Sequence, residues 1–166
     1  TRILGIAAAL AFLNMAAPAS ASVNLLTNGG FETGVEPGSF LTVFGGDSTS
    51  IAGWTVGGHS VDYIGSYWTQ GPAAGNRSLD LDGNGVGSIS QTFSVVAGTQ
   101  YLVTFLLAGN PDAGAAIKNL NVFLNSSPLN PFSFDTTGRS RPEMGWDSRS
   151  FTFTALGTSE TITFAS

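Results

Sequence analysis

The sequence predicts an all-β fold built as a sandwich or barrel, and three features carry that prediction. After Ser22, apolar residues recur with period two, the spacing of a strand with one face buried. Periodicity of the helical kind is nearly absent. Gly- and Pro-containing pairs such as Gly29-Gly30, Pro37-Gly38, Gly45-Gly46, Gly57-Gly58, Gly71-Pro72, Asn110-Pro111 and Asn130-Pro131 cut the chain into short runs at regular intervals. Many short strands separated by turn residues are the signature of sandwiches and barrels.

The early runs are short: Asn24–Leu26, Phe40–Phe44, Gly53–Val56, Val61–Tyr67 and Ser78–Asp82. The later ones are longer. In "GSISQTFSV", Ile89, Phe93 and Val95 share one face, and Ser88, Ser90, Thr92 and Ser94 form a hydroxyl ladder on the other. In "TQYLVTFLLAG", Tyr101, Val103, Phe105 and Leu107 oppose Leu102, Thr104 and Leu106, so this strand is apolar on both sides and reads as central. In "IKNLNVFLN", Leu120, Val122 and Leu124 point inward and Asn119 and Asn121 outward. Phe151 and Phe153 alternate with Ser150, Thr152 and Thr154; Ile162 and Phe164 alternate with Thr161 and Thr163. The last run reaches Ser166 with no turn after it, so we read the chain as cut short there and its sandwich as lacking a final strand. It starts at Thr1, which reads as a cut at that end too.

Composition narrows the function. Charged residues make up only 10% of the chain, yet it holds 12 Phe, 3 Trp and 3 Tyr, enough to fill a core. Net charge is −5 and the only basic cluster is Arg139 with Arg141, which disfavours nucleic acid and anionic membrane surfaces. No cysteine is present, which excludes disulfides, thiolate metal sites and cysteine nucleophiles. Arg2, the apolar run Ile3–Leu13 and Ala19-Ser20-Ala21 form a secretory signal with cleavage after Ala21. The apolar run is too short to span a bilayer, which takes roughly 20 residues. Residues 1–21 are therefore read as a signal peptide and residues 22–166 as one secreted, extracellular or cell-surface domain with no membrane insertion.

Two segments offer chemistry. "DLDGNG" (Asp80–Gly85) matches the first half of a calcium loop, but position 12 of such a loop would be Gln91 and both flanks read as strands. An EF-hand needs flanking helices and a Glu at that position. Two readings stay open: a hairpin with Asp-Gly and Asn-Gly turn residues, or an oxygen-only calcium site using Asp80, Asp82 and a distant carboxylate such as Glu32. The second segment, Trp54–Arg77, is rich in aromatic and polar residues. Aromatic faces stack on sugar rings while amides, carboxylates and guanidinium groups bond the hydroxyls. Trp54, Tyr67 and Trp68 are the expected platforms, with Asp62, Asn76 and Arg77 as hydrogen-bonding partners. For Trp54 the competing reading, a core residue beside the sheet, is the stronger one. Tyr67 and Trp68 are adjacent, so both cannot point inward from a regular strand. "TTGRSRPEMGW" reads either as a solvated hairpin loop or as a second ligand-contacting loop. His59 lies near Ser60 and Asp62, but no G-x-S-x-G elbow accompanies them, so no hydrolytic triad is expected.

Six ordered segments carry a family resemblance: "NLLTNGGFETG", "IAGWTVGGHSVDYIGSYW", "GNRSLDLDGNGVGSISQTF", "YLVTFLLAGNPD", "FSFDTTGRSRPEMGW" and "SFTFTA". Together they resemble the bacterial choice-of-anchor C family, a relative of the plant cell-wall proteins grouped as domain of unknown function 642. The resemblance implies a galactose-binding-like jelly roll, a β-sandwich of two antiparallel sheets, exported and held at the surface by a C-terminal anchoring segment that this fragment lacks. It also implies association with polysaccharide and, in similar modules, a structural calcium involving the position of Glu32. The expected function is thus non-catalytic glycan binding. The alternatives are an adhesive matrix protein with a protein partner and, behind it, a small glycosidase using two of the scattered carboxylates.

Overall fold

Period-two alternation becomes eleven strands among the described residues of the computed structural model, which are 24–71, 75–112, 114–129 and 131–166. The predicted signal peptide lies outside them. The strands are β1 (Phe40–Phe44), β2 (Thr55–Gly58), β3 (Ser60–Ile64), β4 (Ser78–Asp80), β5 (Gly87–Ser94), β6 (Gln100–Leu107), β7 (Ile117–Leu124), β8 (Ser127–Pro128), β9 (Phe132–Asp135), β10 (Asp147–Thr154) and β11 (Ser159–Ala165). Every ladder is antiparallel. The broadest sheet runs β2-β5-β11-β7-β8, with β9 pairing β7 beside β8. The opposing layer consists of two separate ladders, β1-β3-β4 and β10-β6. One continuous opposing sheet was expected; the layer is split because no described strand joins β4 to β6.

One core lies between the layers. Val43, Val61 and Tyr63 come from the split layer and Val56, Ile89, Leu120, Val122 and Ile162 from the broad sheet. The predicted faces hold: Val103, Phe105 and Leu107 pack on this core, and Tyr101 joins a smaller cluster with Phe153. On the outside of the broad sheet, Thr92 and Thr161 stand opposite each other with hydroxyls 2.7 Å apart, part of the predicted hydroxyl ladder. Burial of the apolar faces is the main stabilising term here, because it scales with the area taken from water.

Three local outcomes differ from expectation. Strand β6, read as central, is laddered on one side only, to β10, and Leu102 on its outer face is exposed. Asn24–Leu26 is not a strand. Instead the side-chain amide of Gln91 stands in for a neighbouring strand: it accepts from the Thr27 N–H at 2.7 Å and donates to the carbonyls of Thr27 and Gly53 at 2.9 and 2.7 Å. Strand β9 was not expected. "FSFD" has the right alternation, but it sits beside Pro131 and polar residues that read as loop.

The "NGGFE" segment proves architectural. Asn28 adopts φ +52°, a left-handed conformation that Asn tolerates well. Its side chain donates to the carbonyls of Thr33 and Ala52 and accepts from the Thr33 N–H, and its own carbonyl accepts from the Trp54 indole at 3.0 Å. The carbonyl of Phe31 accepts from the Tyr63 hydroxyl. A single turn thus gathers the N-terminal segment, the turn before β2 and strand β3.

Candidate functional site

Strand β1 reads Phe40-Leu41-Thr42-Val43-Phe44. Val43 is buried in the core, so alternation puts Phe40, Thr42 and Phe44 on the outer face. Register carries that face across the ladder: Thr42 pairs Asp62 and Asp62 pairs Asp80, while Phe40 pairs Ile64 and Phe44 pairs Ser60. The result is a polar row, Thr42–Asp62–Asp80, that crosses the three strands, with Phe40 and Phe44 flanking Thr42 at the two ends of β1. Thr42 donates to Asp62 Oδ1 at 2.6 Å. Asp80 accepts from Asn110 Nδ2 at 2.8 Å and from the Asp82 N–H at 3.1 Å.

At one end, Phe40 meets the Tyr67 ring edge-on at 5.2 Å. The Arg141 guanidinium lies over the Tyr67 ring at 4.1 Å, and both Arg141 Nε and the Tyr67 hydroxyl donate to Asp112. That bond to Asp112 holds the Tyr67 proton above the usual phenol range. At the other end, Phe44 and His59 approach edge-on at 6.1 Å. Phe40 and Phe44 are 45% and 57% exposed, so their rings can reach a ligand.

The predicted site residues divide. Asp62 stands at the centre of the row. Tyr67 is at its edge, with one face already taken by Arg141, so it buttresses Phe40 more than it offers a platform. Trp54 and Trp68 are 2% and 6% exposed and cannot stack on a ligand. Trp54 packs on Phe31, and Trp68 sits in a second small core with Ile64 and Met144, its indole donating to Ser78 Oγ at 2.9 Å. Arg77 is also corrected: its guanidinium bonds the Tyr63 hydroxyl at 2.7 Å, the Val35 carbonyl at 3.2 Å and Glu36 at 2.8 Å. Asn76 precedes β4, outside the row, with its N–H on Glu32 at 2.8 Å. Phe40, Thr42 and Phe44 were missed, although their alternation in "FLTVF" was readable. Arg141 belongs to the "TTGRSRPEMGW" loop, one of whose two readings is a ligand-contacting loop.

"DLDGNG" is neither an EF-hand nor a hairpin between paired strands: it is a tight loop from β4 to β5, which lie in different ladders, closed by a single bridge. Asp82 bridges to Val86, and the loop lies against β3 with the Asn84 N–H on Ser60 Oγ at 2.8 Å. Glycine is required where it closes: a Cβ on Gly87 would stand 2.1 Å from the Ser60 carbonyl oxygen. The proposed calcium ligands do not fit one ion. Glu32 Oε1 caps the N–H groups of Asn76 and Arg77, and the two Asp80 oxygens serve Asn110 and Asp82. Among the described residues no three His, Cys, Asp or Glu side chains are grouped to hold a metal.

Burial pushes the Asp80 carboxyl above its ordinary range; its two hydrogen bonds oppose this and the charges of Asp62 and Asp82 add to it. The folded state therefore holds this proton more tightly than the unfolded chain, whose Asp titrates at about 3.9. The stabilisation this gives is full below that value and is lost as pH rises through the folded value. Asp80→Asn should remove that descending component. Melting both proteins from roughly pH 4 to pH 6 should show the variant gaining on the native chain as pH rises; a constant difference would contradict it. Asp47 has the opposite sense: N–H donation from Ser50 lowers its carboxyl, so its contribution fades on acidification.

Residues 24–166 match the family described as "Protein of unknown function (DUF642)". The chain is 34% identical over 151 residues to halomucin of Haloquadratum walsbyi, a match covering 85% of this chain and 2% of that protein's length. Among solved structures, it is similar to an exo-β-1,3-galactanase of Phanerochaete chrysosporium bound to galactose (TM-score 0.43, 19% identity, 70% of this chain and 26% of that one). It is also similar to a CBM4 structure (TM-score 0.39, 16% identity, 84% and 86%) and to TmCBM61 in complex with β-1,4-galactotriose (TM-score 0.37, 17% identity, 87% and 89%).

Proposed function

We propose that this chain, which belongs to the DUF642 family, binds a glycan without cleaving it, along the outer face of β1-β3-β4. The observation that carries the proposal is the polar row Thr42–Asp62–Asp80 crossing the ladder, with the exposed rings of Phe40 and Phe44 on either side of Thr42 along β1. Carboxylates and hydroxyls accept and donate to sugar hydroxyls, and exposed rings cover the apolar faces of sugars. Phe40 and Phe44 are four residues apart on one strand, about 13 Å, so the face suits an extended chain rather than a single ring. The acidic row, on a protein of net charge −5, favours neutral or amino sugars over uronic acids.

Cleavage is not part of the proposal. Asp62 and Asp80 are neighbours, as a glycosidase pair would be, but both Asp80 oxygens are engaged by protein donors, which suits a latch better than an acid facing substrate. Export belongs to the proposal through the leader-like start of the chain, and surface retention through the likeness to the choice-of-anchor C family.

Affinity electrophoresis through gels of neutral, amino-sugar and uronic-acid polysaccharides tests the reading. Retardation in a neutral or amino-sugar gel, with no reducing sugar released, is expected. Uniform mobility in every gel, or retardation only by polyanions, would sink it.

A further inference from the structure

The "DLDGNG" loop packs directly on residues beside the polar row. A Cβ on Gly83 would stand 3.0 Å from both Asp62 Oδ1 and Ser60 Oγ, and one on Gly85 would stand 3.1 Å from His59 Cγ and 3.3 Å from its Nδ1. Glycine at both positions lets the loop backbone approach Asp62, Ser60 and the imidazole this closely. Ser60 is completely buried, at 0% exposure, so its hydroxyl must find its partners in the protein. Among the described residues it has two. The Asn84 N–H donates to Ser60 Oγ at 2.8 Å, and His59 Nδ1 lies 3.2 Å from the same oxygen. If both nitrogens donated, the hydroxyl proton would be buried without an acceptor. One arrangement satisfies all three groups: Asn84 donates to Ser60, and Ser60 donates to Nδ1. In the neutral ring the proton is then on Nε2. Gly85 and Ser60 cover the Cγ and Nδ1 side of the imidazole, and Nε2 is at the far edge of an exposed residue. The imidazole stands beside the exposed Phe44 ring, with 6.1 Å between centroids and 66° between planes.

We propose that His59 is a further ligand-contacting residue, donating its Nε2–H to a hydroxyl or ring oxygen of the sugar unit that rests on Phe44, and that the "DLDGNG" loop fixes this tautomer through Ser60. The inference rests on the glycan-binding reading of the same face. Ionised carboxylates only accept hydrogen bonds, so Asp62 and Asp80 leave the acceptor oxygens of a sugar unserved. An imidazole N–H held in one orientation supplies the missing donor at the Phe44 end. The loop thus has a part in recognition that requires no metal: its glycines allow the close approach, Asn84 orients the Ser60 hydroxyl, and that hydroxyl orients the ring.

His59 is the sole histidine of the chain, so its ring signals in NMR are unambiguous. The full chain, isotope-labelled, is titrated with cellohexaose, galactohexaose and chitohexaose at a pH where the ring is neutral, and long-range proton–nitrogen correlations report the tautomer. The free protein is expected to show the Nε2–H form. At least one of these saccharides should shift Nε2 together with the β1 and β3 amides. His59→Ala should weaken binding of that saccharide about 3- to 10-fold, the worth of one neutral hydrogen bond. His59→Gln, whose amide N–H reaches the Nε2 position, should recover most of the loss, which a merely structural role for the ring would not produce. An Nδ1–H tautomer would overturn the role of His59, and so would amide shifts in β1 and β3 with Nε2 unmoved and His59→Ala binding as tightly as the native chain. Either result would leave glycan binding on this face standing. No shift on the face with any of the saccharides would overturn both.

Discussion

Trp54→Ala is expected to cost about 3–5 kcal/mol of stability, the range for emptying a buried aromatic site. Trp54 is one of the largest side chains in the core. It packs on Phe31 at 5.3 Å between ring centroids, and its indole N–H satisfies the Asn28 carbonyl. Alanine would leave a cavity between the layers and remove one of two donors to the Asn28 carbonyl, which would keep only the Phe31 N–H. Each kcal/mol moves the melting temperature of a domain this size by about 2–4 °C, so the midpoint should fall by roughly 10 °C. Calorimetry measures this directly. Trp54→Phe should lose less, since it keeps most of the ring and forfeits the hydrogen bond. If Trp54→Ala melted like the native protein, the indole would not be a core residue.

Asp62→Ala is expected to weaken glycan binding by roughly 10- to 100-fold, because hydrogen bonds to a charged group are worth about 1.5–3 kcal/mol. The same variant should melt close to the native chain, since the row is on the outer face and Asp62 accepts there from the Thr42 hydroxyl, itself half in water. Phe44→Ala probes the other half of the site: it removes an exposed ring and leaves the core intact. Titration of the retarding oligosaccharide by calorimetry separates the roles. Asp62→Ala should act through lost hydrogen bonds, and Phe44→Ala through lost stacking. If neither changed affinity while Trp68→Phe did, the binding face would lie elsewhere.

Much of the fold was legible because it rests on local alternation. Ile89 to Val95 and Leu120 to Leu124 declare their inner faces by period two, and the structure puts Ile89, Leu120 and Val122 in one core. The site was less legible. Trp54 and Trp68 looked like platforms because Trp in a glycine-rich stretch reads as exposed, and nothing local reveals that Phe31 or Met144 covers them. Arg77 looked available, because its partners Val35, Glu36 and Tyr63 are 14 to 42 residues away along the chain. "DLDGNG" carried calcium-loop chemistry, but its glycines answer a steric demand from β3 that only packing creates.

The sequence by itself determined the β class, the face of each long strand and the absence of cysteine chemistry, since these follow from side-chain spacing and residue type. It also held the alternation of Phe40, Thr42 and Phe44. Only the tertiary structure decided which aromatic rings stay in water and which carboxylates are engaged. Strand register and the meeting of two layers fix those outcomes. Both are long-range consequences of burial that no single stretch of residues encodes.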